Sequence, residues 1–116
     1  MLHLETDFGG RHIPYIPPQK MHDLGIIPFI NDLTFWIHND GCKGFTVQQV
    51  KVWCNPYGVV YYNPDFNIQG KCIMPFTAKR FVISCRKRGY VEFQVLITND
   101  LGEDYNYFFK CYLVEY

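Results

Sequence analysis

The sequence lacks an excess of charge of either sign, since its 116 residues contain 11 Lys and Arg against 11 Asp and Glu. Nucleic acids and anionic membranes select basic surfaces, so this balance argues against both as main partners. No run approaches the roughly 18 apolar residues of a membrane span, and no basic segment precedes an apolar signal region. We therefore expect a cytoplasm as the natural compartment.

The common catalytic and metal-binding motifs are also missing. The five cysteines include no C-x-x-C pair, and the four histidines have neither H-x-x-x-H nor H-E-x-x-H spacing. We therefore predict no catalytic residue, no metal ligand, no cofactor and no small-molecule substrate. In a reducing compartment the cysteines are expected to be buried thiols. A disulfide between Cys54 and Cys85 across two sheets is the alternative.

Aromatic residues are abundant, with two Trp, nine Tyr and ten Phe in a chain that is 48% apolar. Disordered chains are poor in such residues, so this composition excludes disorder as the state of the whole chain. A neutral, aromatic-rich protein also lacks the usual protection by charge against association. The composition therefore predicts a protein that is assembled with other proteins.

Residues 1–32 contain four of the seven prolines and show no helical or strand period. Each proline fixes its own φ and moves the preceding residue out of the α region, which favours extended or polyproline geometry. We therefore predict an extended N-terminal arm. Its apolar side chains need burial on the chain's own domain or on a neighbouring molecule, and they are predicted to bind a partner: Ile13, Tyr15, Ile16, Ile26, Ile27 and Phe29.

Residues 33–116 form a series of alternating segments separated by turn signals. We predict strands at 33–38, 45–54, 59–62, 79–86, 90–98 and 105–116, and a weaker strand at 66–68. In the second of these, alternation places Trp53 on the face opposite Val52 and Cys54. The pattern predicts an all-β domain, a single antiparallel sandwich of about seven strands in which the last two strands form a hairpin.

Strand number, spacing and terminal hairpin over residues 33–116 resemble the immunoglobulin-like or fibronectin-type β-sandwich, of the kind found in virion proteins of tailed bacteriophages. The resemblance implies a non-enzymatic virion structural protein, acting as a capsid decoration or auxiliary subunit or as a subunit associated with the head or tail. Its implied location is the virion. Its implied partners are neighbouring virion subunits, including copies of this chain.

The last predicted strand is apolar on both faces. Six of its 12 residues are aromatic, and Phe109, Cys111 and Leu113 share one face. A strand that is apolar on both faces is normally covered on both sides. The cover for the second face is either the chain's own arm or another subunit. We predict that this face binds a partner through Phe108, Tyr112 and Val114.

Two other functions fit the composition. One is a module that binds a carbohydrate or a receptor, with Trp36, Trp53 and Tyr57 as stacking residues. Exposed rings at one end of the sandwich would favour it, and burial of both tryptophans would oppose it. The other is a small cysteine- or metal-dependent enzyme, which needs a cysteine and a histidine within hydrogen-bond reach in a cleft.

Overall fold

The structure is a computed structural model that describes residues 2–8, 11–28 and 32–114. Phe29, one of the predicted partner-binding residues, lies outside the described residues. Within those ranges there are ten strands and one 3-10 helix, Pro64–Phe66. The strands are β1 Leu2–Phe8, β2 Arg11–Ile16, β3 Met21–Pro28, β4 Leu33–Asn39, β5 Phe45–Asn55, β6 Val60–Tyr62, β7 Cys72–Ile73, β8 Ala78–Cys85, β9 Gly89–Asn99 and β10 Asp104–Val114.

The strands form two five-stranded sheets that pack face to face. The first sheet has the order β2-β1-β4-β8-β6, and the second has the order β3-β10-β9-β5-β7. The all-β, two-sheet prediction is confirmed, but the number of strands is ten and not about seven. The pairing is antiparallel except between β3 and β10, which run parallel. Across the described ranges, no helix has the length and apolar character needed to cross a bilayer.

The predicted N-terminal arm is wrong, because residues 2–8, 11–16 and 21–28 form three strands of the sandwich. Strand β1 pairs with β2 and β4 in the first sheet, and β3 pairs with β10 in the second. The prolines are compatible with strands because β2 and β3 lie at sheet edges. Pro14 lies in β2, Pro28 is the last residue of β3, and Pro17 and Pro18 connect the two strands.

The alternation that predicts the other strands is also present in β1. Leu2, Leu4, Thr6 and Phe8 are buried, and the residues between them are partly or fully exposed. Further along the chain, the strands predicted from residue 33 onward agree with the structure within two residues at each described end, except at 66–68. Residues 115–116 of the last predicted strand lie outside the described residues. There the chain is coil after the short helix, and the two-residue strand β7 follows instead.

The parallel pairing of β3 with β10 contains a bulge at residues 23–25. Gly25 has a φ of +73°, a conformation that glycine adopts without steric cost. A Cβ at this position would lie 2.6 Å from a guanidinium nitrogen of Arg11, which donates a hydrogen bond to the Leu24 carbonyl. Arg11 belongs to β2, so this contact joins the edge of the first sheet to the edge of the second.

Aromatic rings connect the two sheets in the core. Phe35 of β4 lies 5.3 Å from Phe109 of β10, measured between ring centroids, and also stacks on Phe81 of β8. Phe109 in turn stacks on Phe93 of β9 at 4.9 Å. Tyr107 is fully buried, and its hydroxyl donates to the Leu2 carbonyl at 3.1 Å. Burial raises the pKa of Tyr107, so it stays a neutral donor.

Two neighbouring side chains of β3 test whether this segment is part of the sandwich. Leu24 is 0% exposed and Ile26 is 64% exposed. We expect Leu24→Ala to lower the free energy of unfolding by about 2–5 kcal/mol, since it leaves a cavity in the core. The matched Ile26→Ala should change it by less than about 0.5 kcal/mol. Urea unfolding followed by circular dichroism measures both, and two equally small effects would contradict the pairing of β3 with the sandwich.

Candidate functional site

Three rows of side chains on the outer face of the second sheet cross β3, β10 and β9, and the first two also reach β5. The rows follow from the strand registers, which place the side chains opposite one another. We call this surface the aromatic face. The first row is Met21, Phe108, Gln94 and Trp53; the second is Asp23, Lys110, Glu92 and Asn55; the third is Ile26, Tyr112 and Tyr90.

Large apolar side chains on this face are exposed to solvent. The exposed fraction lies between 47% and 64% for Met21, Ile26, Trp53, Tyr90 and Tyr112. Two shallow depressions, of about 270 Å³ and about 220 Å³, lie at the first row and at the third row. Exposed apolar side chains clustered on one face typically mark an interaction site.

The two faces of β10, which are both predicted to be apolar, have different environments. The inner side of β10 packs in the core. One edge of β10 pairs with β9, and the other edge pairs with β3. The chain's own N-terminal segment therefore covers the edge of β10 and leaves its outer face open. Tyr112 is 53% exposed there, and Phe108 and Val114 are half-buried.

The predicted partner-binding residues of the first 32 positions separate into two groups. Ile16 and Ile27 are fully buried in the core, so neither of them can contact a partner. Ile13 is partly buried and packs against the core. Tyr15 and Ile26 are exposed, but only Ile26 lies on the aromatic face. Whether the exposed residues bind a partner stays a prediction.

The middle row of the aromatic face is charged. Lys110 lies directly between Asp23 and Glu92 on the neighbouring strands. Among the described residues no ion pair involves Lys110. The Tyr90 hydroxyl donates to Glu92 Oε1 at 2.9 Å, and this hydrogen bond raises the pKa of Tyr90. A charged stripe thus separates two apolar rows.

An aromatic cleft opens where the edges of β5 and β6 approach each other. It has a volume of about 340 Å³ and is lined by Trp53, Tyr57, Tyr61, Tyr62 and Arg86, among others. The Arg86 guanidinium lies 4.2 Å above the Tyr61 ring, and Tyr57 is 97% exposed.

The three predicted stacking residues do not all meet at this cleft. Trp53 and Tyr57 line it together, whereas Trp36 lies on β4 of the other sheet. Trp53 faces outward from the sandwich, as the alternation of β5 predicts, and is 48% exposed. The predicted set of Trp36, Trp53 and Tyr57 is therefore divided between the two sheets.

A cluster of histidines and carboxylates lies on the outer side of the first sheet. Glu5 of β1 accepts hydrogen bonds from His12 Nε2 of β2 and, at 2.8 Å, from His38 Nε2 of β4. The ring of His38 stacks on that of His3 at 4.4 Å, and His3 Nδ1 bonds to Asp40 Oδ2 at 2.6 Å. The cluster joins three adjacent strands.

Sequence spacing does not show this cluster, because its members are neighbours across strands. His3 and His38 are directly opposite in the β1–β4 register. The alternation of β1, which places His3 and Glu5 on one face, is the signal that was available. Within residues 2–8, 11–28 and 32–114, no group of three or more His, Cys, Asp or Glu side chains has a geometry suitable for a metal ion.

The cysteines are all free thiols, including Cys54 and Cys85. Burial is the main cause that raises the pKa of the Cys85 and Cys111 thiols to about 12. A nucleophilic cysteine needs a lowered pKa, so these two thiols have the character of core side chains and not of nucleophiles. Cys54 donates to the Val60 carbonyl at 3.3 Å.

No protein-family model matches the sequence, and no curated protein matches it. The fold is similar to part of a solved structure, the secreted serine protease VesC from Vibrio cholerae, with a TM-score of 0.52 and 12% identity over 79% of this chain and 21% of that chain. The VesB protease of Vibrio cholerae is also similar, with a TM-score of 0.51 and 9% identity over 80% of this chain and 30% of that chain.

The chain thus spans less than a third of either protease, and at these identities the likeness concerns the fold alone. The sequence contains one serine, Ser84, which is 3% exposed. Its hydroxyl accepts a hydrogen bond from Asn63 Nδ2 at 3.0 Å. A buried hydroxyl on a core strand cannot meet a peptide substrate, so Ser84 is not a candidate nucleophile.

The histidine cluster makes stability depend on pH through Glu5. The hydrogen bond from His12 is the main cause that lowers the pKa of Glu5 below its ordinary value of 4.5; burial opposes it, and the hydrogen bond from His38 adds to it. A carboxylate with a lowered pKa contributes stability above its ordinary pKa, and this contribution is lost as the pH falls through the lowered value.

We therefore expect Glu5→Gln to lower the melting temperature at pH 7 and to have a smaller effect as the pH approaches about 3. Circular dichroism melts across this range measure the difference. In a His12→Ala background, Glu5→Gln should lower the melting temperature at pH 7 by a smaller amount, because the main partner of Glu5 is absent. A difference in melting temperature between wild type and Glu5→Gln that stays constant from pH 7 to about pH 3 would contradict this account.

Proposed function

We propose that the protein is a non-enzymatic structural subunit of a virion, and that it joins neighbouring subunits through the aromatic face. The observation that supports this proposal most is the pair of exposed apolar rows on β3, β10, β9 and β5. Isolated soluble domains normally carry polar side chains on the outer face of an antiparallel sheet. Tyr, Trp and Met are also enriched at protein interfaces, since they combine apolar area with adaptable or polar ends.

The strand order supports the finer proposal that the sandwich is immunoglobulin-like. In that fold one sheet has the order A-B-E-D and the other is built on G-F-C, with C′ added in variable-type domains. The order β1-β4-β8-β6 corresponds to the first and β10-β9-β5 to the second, whereas β7 does not match C′, because it follows the D-like β6 along the chain. Strand β2 is an addition to this scheme, and β3 extends the second sheet beyond its G-like strand.

The chemistry of the described side chains supports a non-catalytic role. The buried thiols have raised pKa values, and the only serine is in the core. The histidine cluster is used for bonds between strands, where Glu5 and Asp40 each accept from an imidazole. These groups stabilise the N-terminal hairpin against β4 and carry no positioned nucleophile.

Particle incorporation tests the proposal. The chain should sediment with purified particles in a density gradient. Tyr112→Asp should remove it from that fraction, because the substitution places a charge in the third row of the aromatic face. The matched control is Leu101→Asp, since Leu101 is 50% exposed, close to the 53% of Tyr112, but lies in the turn between β9 and β10, outside the aromatic face. A wild-type chain that stays in the soluble fraction, or equal incorporation of both variants, would contradict the proposal.

The aromatic cleft supports a second candidate function, the binding of a carbohydrate. Trp53 and Tyr57 offer exposed ring faces beside the Arg86 guanidinium, an arrangement that suits the apolar face and the hydroxyls of a sugar.

A glycan array followed by calorimetry tests this candidate. We expect Tyr57→Ala to raise the dissociation constant of any bound glycan by about 3- to 10-fold, because an aromatic contact contributes about 0.5–1.5 kcal/mol. Tyr15→Ala, outside the cleft, should leave it unchanged. An array without binding, or equal effects of both variants, would rule out the cleft as a glycan site.

A further inference from the structure

We propose that the partner on the aromatic face is a second copy of this chain, related by a two-fold axis that runs parallel to the strands, midway between β9 and β10. This inference rests on the proposed function, since it names the occupant of the same face. A two-fold axis joins the same patch of both copies and therefore requires a surface that is complementary to itself.

The charged row has this property. From β3 to β5 it reads Asp23, Lys110, Glu92 and Asn55. When the second copy is rotated about the proposed axis, its β10 lies over β9 of the first copy. Lys110 of each copy then faces Glu92 of the other, and Asp23 faces Asn55. Two opposite-charge pairs form, and no like charges face each other.

The same row disfavours the neighbouring alignments. If the axis lay on β10, the Lys110 side chains of the two copies would face each other, and Asp23 of each copy would face Glu92 of the other. If it lay on β9, the two Glu92 carboxylates would oppose each other. Like charges placed against each other cost free energy when an interface forms, so the row selects one alignment among the three.

The apolar rows are compatible with this alignment. Met21 of one copy faces Trp53 of the other in the first row, and Tyr112 faces Tyr90 in the third. All four side chains are about half-exposed in the single chain, so each has surface left to bury. Sheets stacked face to face lie about 10 Å apart, a distance that side chains of this size can fill from both sides.

The Lys110 ammonium supplies the polar contact across the proposed interface. In the part of the chain that the structure describes, Lys110 makes no ion pair, although Asp23 and Glu92 flank it on the adjacent strands. A lysine on the outer face of a sheet can reach outward to an acceptor above the sheet. Glu92 of the second copy occupies that position in the proposed alignment.

Charge reversal tests the proposal in the full-length protein. Wild-type protein should show a mass twice the 13.7 kDa of one chain in sedimentation equilibrium. Lys110→Glu and Glu92→Lys should each raise the dissociation constant of the dimer by about tenfold or more, because each places like charges together. The double variant should return the constant to within about threefold of the wild-type value, since the pairs are restored with reversed sign.

Lys71→Glu is the matched control, since it makes the same charge change at an exposed turn outside the face. Circular dichroism melts of every variant separate loss of dimer from loss of fold. A wild-type chain that stays monomeric up to millimolar concentration would overturn the proposal, and so would a dimer that neither reversal weakens. If either result were found and particle incorporation still depended on Tyr112, the aromatic face would bind a different partner, and the proposed function would remain supported.

Discussion

Strand β3 hydrogen-bonds in parallel with β10 along residues 21–28, and the extent of the aromatic face depends on this pairing. It adds an edge strand to the second sheet and places Leu24 and Ile27 in the core. It also adds Met21, Asp23 and Ile26 to the outer side of that sheet. Without this strand, β10 would be an unpaired edge strand, and the aromatic face would lose the side chains that β3 contributes.

The exposed face follows from the size and composition of the chain. The two sheets use their inner sides for one shared core, in which Phe35, Phe93 and Phe109 form a continuous ring contact from sheet to sheet. No third layer covers the outer side of the second sheet within the described residues. The aromatic excess of the sequence is thus divided between a core that folds the chain and a surface that is available for association.

Much of the fold can be predicted from the sequence, because half-buried strands alternate and their turns use Asn, Asp, Gly and Pro. Strands β9 and β10 are the clearest cases. The N-terminal segment could not be placed by proline content, since Pro14 and Pro28 sit in edge strands, where proline is tolerated. Proline content alone thus does not distinguish an arm from an edge strand.

The candidate site is predictable only in part. The two-sided apolar character of β10 indicates a covered face from sequence alone. The rows of the aromatic face and the bonds of His12 and His38 to Glu5 depend on cross-strand registers. Residues that meet across a sheet are far apart along the chain, so spacing does not reveal them.

Two methionines provide the most direct test of the claim that the aromatic face is buried when the protein assembles. Met21 is 51% exposed on this face, and Met74 is 57% exposed outside it. Hydroxyl-radical footprinting of dilute and assembled protein measures the oxidation rate of each. The account predicts that assembly slows the oxidation of Met21 and leaves that of Met74 unchanged. Equal rates for Met21 in both states would contradict it.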